Sequence, residues 1–243
     1  MKKSLLLYGK NSVCERLKAN PASIKKIYLH INFNSMEVEN MISAHGIPCE
    51  RLPSEKLSKI KPTKDIQGIV AEVDNYEYIP FDNILENKGL TPIFLDRITD
   101  PHNLGVIIRT TACFGNFALV IPRHESCEVN ETVLHVASGG ENYTPVSIVT
   151  NLSNAIIKAK KHGYWIMGAL VDKDAEDISG INLPHPLAFA LGSEGSGIRY
   201  GVEKQIDIKA RIPMDGAELS FNVNMACAIF CHEISRKRRL SKS

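Results

Sequence analysis

The sequence predicts an α/β protein in two parts: a small α/β unit over residues 1–74 and a larger parallel-sheet α/β domain over residues 91–243. Three observations carry that expectation. From Thr91 onward, short runs that are apolar throughout alternate with segments of helical period, as strands covered on both faces of a parallel sheet do. Ahead of residue 75 a smaller alternation of strand-like and helix-like segments ends at GIVAEV, residues 68–73. Between the two, residues 75–90 (NYEYIPFDNILENKGL) are polar, lack a clear period and contain Pro80 and Gly89, so they read as a linker or hinge.

The elements follow in order. SLLLY is a short strand, and residues 9–19 place Val13, Cys14 and Leu17 on one helical stripe. KKIYLH is a strand. SMEVENMISAHG is a helix with Ser35 as N-cap and Gly46 as its stop. In the second part PIFLDR is a strand, and a helix runs from Leu104 to Phe114 between Asn103 and Gly115. FALVIP is the next strand, followed by a helix near 129–138, a strand near 144–149, a helix at 152–161 and the strand YWIMGAL. PLAFAL at 186–191 and IDIKARIP at 206–213 are further strands, and the last helix runs from Asn222 to Lys237.

Composition narrows the class. Of 243 residues, 44% are apolar and 23% charged, ordinary for a globular protein. No apolar run approaches the roughly 20 residues of a membrane span, and the stretch Ser4 to Tyr8 is too short for a signal-peptide core. The expected place is the cytoplasm. Six cysteines at 14, 49, 113, 127, 227 and 231 show no CxxC spacing and read as free, buried thiols. The net charge of +2 hides an asymmetry. Residues 1–74 hold 12 Lys/Arg against 8 Asp/Glu, residues 75–234 hold 12 against 19, and residues 235–243 add five cations. Polyanion binding would fall to the two ends; a solvated surface explains the charge equally well.

Three segments stand out, each just after an expected strand, where open α/β sheets bind ligands. In DRITDPHNLGVIIRTTACFG, residues 96–115, Asn103 can cap the helix or reach a ligand. Arg109 lies among Val106, Ile107, Ile108 and Ala112, where a guanidinium needs an anionic or polar partner; a structural salt bridge would satisfy it as well as a ligand would. In ALGSEGSG, residues 190–197, glycines at 192, 195 and 197 permit close backbone approach or positive φ. The spacing is GxxGxG with no following GK[ST], so neither the dinucleotide nor the Walker phosphate-loop pattern is met. In IPMDGAELSFNVNMACAIFCHE, residues 212–233, Ser220 and Asn222 precede a helix, where such residues commonly cap. Cys227 and Cys231 at i, i+4 lack a second pair and read as packing; the eight histidines show no metal-ligand spacing, and no metal is expected.

Taken together, DPHNLGVIIRTTACFG, LGSEGSGI and IPMDGAELSFNVNMACAI resemble the three motifs of the SpoU family, also called the TrmH branch of the SPOUT methyltransferases. YGKNSVCERLKA resembles the opening of the small substrate-binding domain of the ribosomal-RNA members, which is similar to ribosomal protein L30e. The resemblance implies a parallel-sheet α/β catalytic domain with a C-terminal trefoil knot, an L30e-like RNA-binding domain ahead of it, and a homodimer. It implies transfer of a methyl group from S-adenosylmethionine to a ribose 2′-hydroxyl of RNA, with guanosine of 23S ribosomal RNA as the expected target. A tRNA enzyme of the same family and an inactive RNA-binding relative are the alternatives. A nucleotide-dependent dehydrogenase lacks its GxGxxG here. Carried onto this chain, cofactor contacts fall at Gly192, Ile212 and Phe221, and the family's functional positions at Asn103, Arg109, Glu194, Ser220 and Asn222. The family pattern usually has Leu where this chain has Phe221 and Ser where it has Asn224. The resemblance makes Arg109 the general base. An arginine is almost never neutral, so stabilisation of the forming alkoxide is the second role open to it.

Overall fold

Two separate sheets organise the described residues, 4–172, 174–216 and 219–241 of a computed structural model. In chain order the elements are β1 (Leu5–Tyr8), α1 (Lys10–Ala19), β2 (Ile24–His30), α2 (Met36–Ala44), β3 (Cys49–Leu52), α3 (Ser54–Ile60), β4 (Ile69–Val73), α4 (Phe81–Glu86), β5 (Thr91–Asp96) and α5 (Pro101–Phe114). Then come β6 (Phe117–Pro122), α6 (Glu131–Ala137), β7 (Val146–Val149), α7 (Leu152–Lys161), β8 (Trp165–Ala169), β9 (Glu176–Asp177), β10 (Leu187–Gly192), α8 (Tyr200–Glu203), β11 (Ile208–Arg211) and α9 (Val223–Leu240). The chain divides into two compact units. One is Met1–Glu77 with Val129–Tyr143; the other is Tyr78–Glu128 with Thr144–Ser243.

The first unit has a sheet of order β1-β4-β2-β3, antiparallel except for the parallel pair β2/β3. The stripe expected on α1 is the buried one: Val13, Cys14 and Leu17 all face inward. Residues 129–143 complete this unit although they lie far along the chain. Glu131 of α6 accepts from the Leu6 amide at 2.9 Å, and the His135 ring stacks on Tyr8 at 4.2 Å. Arg16 reaches Glu141 at 3.0 Å with both side chains buried. Their mutual attraction and hydrogen bond offset only part of the desolvation that such a pair costs.

The second unit is a seven-stranded sheet of order β7-β6-β5-β10-β8-β11-β9, parallel throughout. The continuous apolar strands account for this: β5 and β6 are buried at every position, and helices must then cover both faces. On one face Leu152, Ala155, Ile156 and Ala159 of α7 pack with Ile84 and Leu85 of α4 against Phe94, Val120, Ile166 and Ala190. Elsewhere in the unit, Phe230 of α9 stacks on Phe189 at 5.8 Å, and Phe117 meets Phe189 edge-on. The strand order runs outward in opposite directions from the β5/β10 pair, the kind of place where open α/β sheets bind ligands.

Several expectations change. Residues 75–90, expected as linker, contain α4, whose Ile84 and Leu85 are fully buried in the second unit. β3, α3, β9 and α8 are additional to the elements expected. All six cysteines are free, but Cys49 and Cys113 are exposed rather than buried, and Cys127 is half-buried. Among the described residues no helix is long and apolar enough to cross a membrane.

Candidate active site

Three loops meet beyond the carboxyl ends of the second sheet, and each owes its position to an identifiable local cause. The first follows β5. Asp96 ends that strand fully buried, Arg97 adopts φ 60°, and Asp100 caps α5 by accepting from the His102 amide at 2.8 Å. Pro101 opens the helix with its preset φ. Asn103 was open to a capping or a ligand-facing role; because Asp100 takes the cap, the Asn103 side chain turns to other partners.

The second loop follows β10. Gly192 ends the strand where the chain doubles back on itself: a Cβ there would stand 2.1 Å from the Gly197 carbonyl carbon and 2.3 Å from the Ile198 nitrogen. Backbone cannot rotate away as a side chain can, so only glycine fits. Gly197 donates to the Ser193 carbonyl at 3.0 Å, closing the turn, and Gly195 and Gly197 both hold positive φ. The loop is anchored on its far side by Arg199. Its backbone amide and its Nε each donate to Asp96 at 2.7 Å, and another guanidinium nitrogen donates to Glu125. Two charge-assisted bonds on a buried carboxylate make this the strongest tie in the region. Asp96 and Arg199 are absent from the residues expected at the site. The available signal was a carboxylate closing an otherwise apolar strand.

The third loop runs from β11 to α9. Asn222 caps α9, accepting from the Met225 amide at 2.9 Å. Ile212, Ser220 and Phe221 line a cavity of about 850 Å³, together with Leu170, Asp172 and Phe230.

Side chains from the first turn of α5, the second loop and the first turn of α9 then join. The Asn103 amide donates to Glu194 at 3.4 Å, and the Asn224 amide donates to the Asn103 carbonyl oxygen at 2.7 Å. Of the expected residues, the structure thus links Asn103 with Glu194 directly, and places Ile212, Ser220 and Phe221 on the cavity. Gly192 is a backbone position and is not part of the cavity lining. Asn222 is occupied as a cap. Arg109 differs from expectation: it is exposed on α5, about 9 Å along the axis from Asn103 by the helical rise. Exposure removes the need for a buried partner.

Cys227 and Cys231 approach to 3.9 Å in the buried interior. Their hydrogen bond, with burial behind it, pushes the Cys231 thiol well above the ordinary range. They are packing residues. Among the described residues no three metal-binding side chains come together.

The cavity suits a ligand such as S-adenosylmethionine. Its volume is in the range of small-molecule sites. Ile212, Leu219, Phe221 and Phe230 offer apolar surface for a flat base, and Asp215 offers acceptors for hydroxyl groups, while Asp172 is already paired with Lys209 at 3.1 Å.

The chain matches known protein families over most of its length. The model of the SpoU rRNA methylase family matches residues 91–232, and that of the RNA 2′-O ribose methyltransferase substrate-binding domain matches residues 6–79. The YacO protein of Bacillus subtilis, whose name places it in the TrmH family of tRNA/rRNA methyltransferases, is 34% identical over 95% of this chain and 94% of its own. The 23S rRNA (guanosine-2′-O-)-methyltransferase RlmB of Coxiella burnetii is 34% identical over 98% of each chain. The crystal structure of the SpoU methyltransferase AviRb from Streptomyces viridochromogenes, in complex with AdoMet, superposes with a TM-score of 0.81 at 18% identity, covering 97% of this chain and 91% of that one. That likeness establishes the fold. With the family model spanning more than half its length, this chain belongs to the SpoU rRNA methylase family.

Proposed function

We propose that the chain transfers a methyl group from S-adenosylmethionine to a ribose 2′-hydroxyl of 23S ribosomal RNA, with guanosine as the target nucleotide. The observation that carries this reading is the hydrogen-bonded row of Asn224, Asn103 and Glu194, together with a cavity lined by Ser220 and Phe221 in the segment that leads into α9. The relative RlmB, similar over nearly the whole chain, supports the choice of RNA. Residues 1–74, completed by residues 129–143, recognise the RNA, and residues 75–90 lead into the second unit, which performs the transfer. The chain acts in the cytoplasm as a homodimer with a C-terminal trefoil knot; membership of the family is the support for each of these.

When bound, S-adenosylmethionine supplies an electrophilic methyl group. Ile212 and Phe221 hold it, and Gly192 keeps the neighbouring loop closed. Asn103 orients the attacking hydroxyl, and Glu194 fixes Asn103. Arg109 presents five N–H donors and no acceptor, so its task is to stabilise negative charge growing on the ribose oxygen and to hold an adjacent phosphate. The proton leaves to a phosphate oxygen or to water. Ser220 and Asn222 shape the third loop, Asn222 by capping α9. Alignment of two bound reactants supplies much of the acceleration.

The test is labelled-methyl transfer to ribosomal RNA, followed by mapping of the new 2′-O-methyl group on total RNA. A product confined to tRNA, or none at all, refutes the assignment. Arg109→Lys loses the planar fork and should lower kcat by about 100-fold or more; near-normal transfer by that variant removes Arg109 from the mechanism.

A further inference from the structure

The row Asn224–Asn103–Glu194 has a direction, and its chemistry fixes which way it points. An ionised carboxylate only accepts. The Asn103 amide must therefore turn its nitrogen toward Glu194, which it meets at 3.4 Å. Its carbonyl oxygen then faces the other way and needs a donor. Asn224 provides one at 2.7 Å, the shorter of the two bonds. The Asn224 oxygen is left buried and, among the described residues, without a hydrogen-bond partner. A buried acceptor left unpaired costs stability. Exchanging the two ends of the Asn224 amide would not remove that cost, because its NH2 group would then be the buried, unpaired one. The exchange would also set the Asn224 oxygen against the Asn103 oxygen.

We infer that Asn224 is a positioning residue: it locks the rotation of the Asn103 amide so that the N–H side, not the carbonyl, faces the glycine loop and the reacting hydroxyl. A serine at this place would be shorter and carry one hydroxyl that donates or accepts, whereas the asparagine offers a longer reach and a fixed donor end. This inference rests on the reading of Asn103 as a site residue.

The test uses the full-length protein. Asn224→Ala should lower kcat about tenfold while KM for S-adenosylmethionine stays within about twofold. Asn224→Asp presents an acceptor to an acceptor and should fall further, by about 100-fold. With Glu194→Gln, the row can run backwards: the new amide at position 194 donates to the Asn103 oxygen, and the new carboxylate at position 224 accepts from the Asn103 nitrogen. In that background Asn224→Asp should recover most of its unfolding midpoint, because each member of the row is paired again, while kcat stays low, because the Asn103 carbonyl now faces the reacting hydroxyl. Charge repulsion between carboxylates at positions 224 and 194 would give a similar coupling, so the cycle is repeated with Asn103→Ala. A relay through the Asn103 amide predicts that the coupling vanishes there; a coupling that persists is direct repulsion and overturns the inference. Equal losses for the Ala and Asp variants in both backgrounds also overturn it, as does a raised KM with kcat intact. The same cycle read from unfolding midpoints needs no methyl transfer. If the wild-type protein methylated no RNA, the proposed function would fall, while the midpoints alone would still decide whether residues 224 and 194 are coupled through Asn103.

Discussion

Gly192→Ala perturbs the molecule at its closest backbone approach. The new methyl carbon would lie 2.1 Å from one backbone carbon and 2.3 Å from a backbone nitrogen and an oxygen, where unstrained carbon contacts need about 3.5 Å or more. Loop 193–198 must therefore retreat by more than about 1 Å. Overpacking of that kind costs about 1–3 kcal/mol. The retreat also pulls Arg199, which follows the loop, from its two 2.7 Å bonds to Asp96; loss of one charge-assisted bond adds about 1.5–3 kcal/mol. A total of about 4 kcal/mol corresponds to a midpoint lowered by about 8–16 °C for a domain of 150–250 residues. Differential scanning calorimetry reads the midpoint, and titration calorimetry reads S-adenosylmethionine binding, which should fall with it. A variant that unfolds within about 2 °C of wild type, with unchanged binding, refutes the argument that the close approach demands glycine.

Two other perturbations separate packing from ligand contact. Arg16→Ala leaves the buried Glu141 carboxylate without its ion pair and should cost about 3–5 kcal/mol. Burial already raises the Glu141 pKa against the opposing pull of Arg16, so removing Arg16 raises it further. A carboxyl whose folded pKa is raised binds more protons folded than unfolded, and stability falls as pH rises through that raised pKa. The defect of Arg16→Ala should therefore be larger at about pH 8 than at about pH 5 in urea unfolding; a pH-independent defect contradicts the burial argument. Phe221→Ala removes a ring that lines the cavity yet is 45% exposed. It should weaken S-adenosylmethionine binding about tenfold with a midpoint shift under about 1 °C, and unchanged affinity would move the cofactor away from the third loop.

The sheet of the larger unit was legible because its strands are apolar at every position, a pattern that leaves the chain few alternatives to a covered parallel sheet. β3 escaped for the opposite reason: Cys49, Glu50 and Arg51 are exposed, and the strand pairs along one edge, so no alternation marks it. α4 was hidden because only Ile84 and Leu85 of its six residues are fully buried, among polar neighbours. In the site, Asn103, Glu194 and Ser220 were singled out through the family's motifs, not through any periodicity. Asn103 also competed with Asp100 for the cap, and a proline directly after Asp100 decides that contest. The Asp96–Arg199 tie joins residues far apart in sequence, and nothing local announces such a pairing. The buried Arg16–Glu141 pair is illegible for the same reason.

The first unit is sewn from two lengths of chain, Met1–Glu77 and Val129–Tyr143. Its inheritance is therefore not that of a detachable cassette. A protease nick after Glu77 would leave residues 1–77 held only by their packing on residues 129–143, which stay on the other fragment. A chimaera that exchanged only the first 77 residues would hand the incoming Arg16, Tyr8 and Leu6 equivalents a foreign Glu141, His135 and Glu131. Swapping RNA specificity between relatives by exchanging the leading segment thus calls for moving α6 and its flanks in the same step.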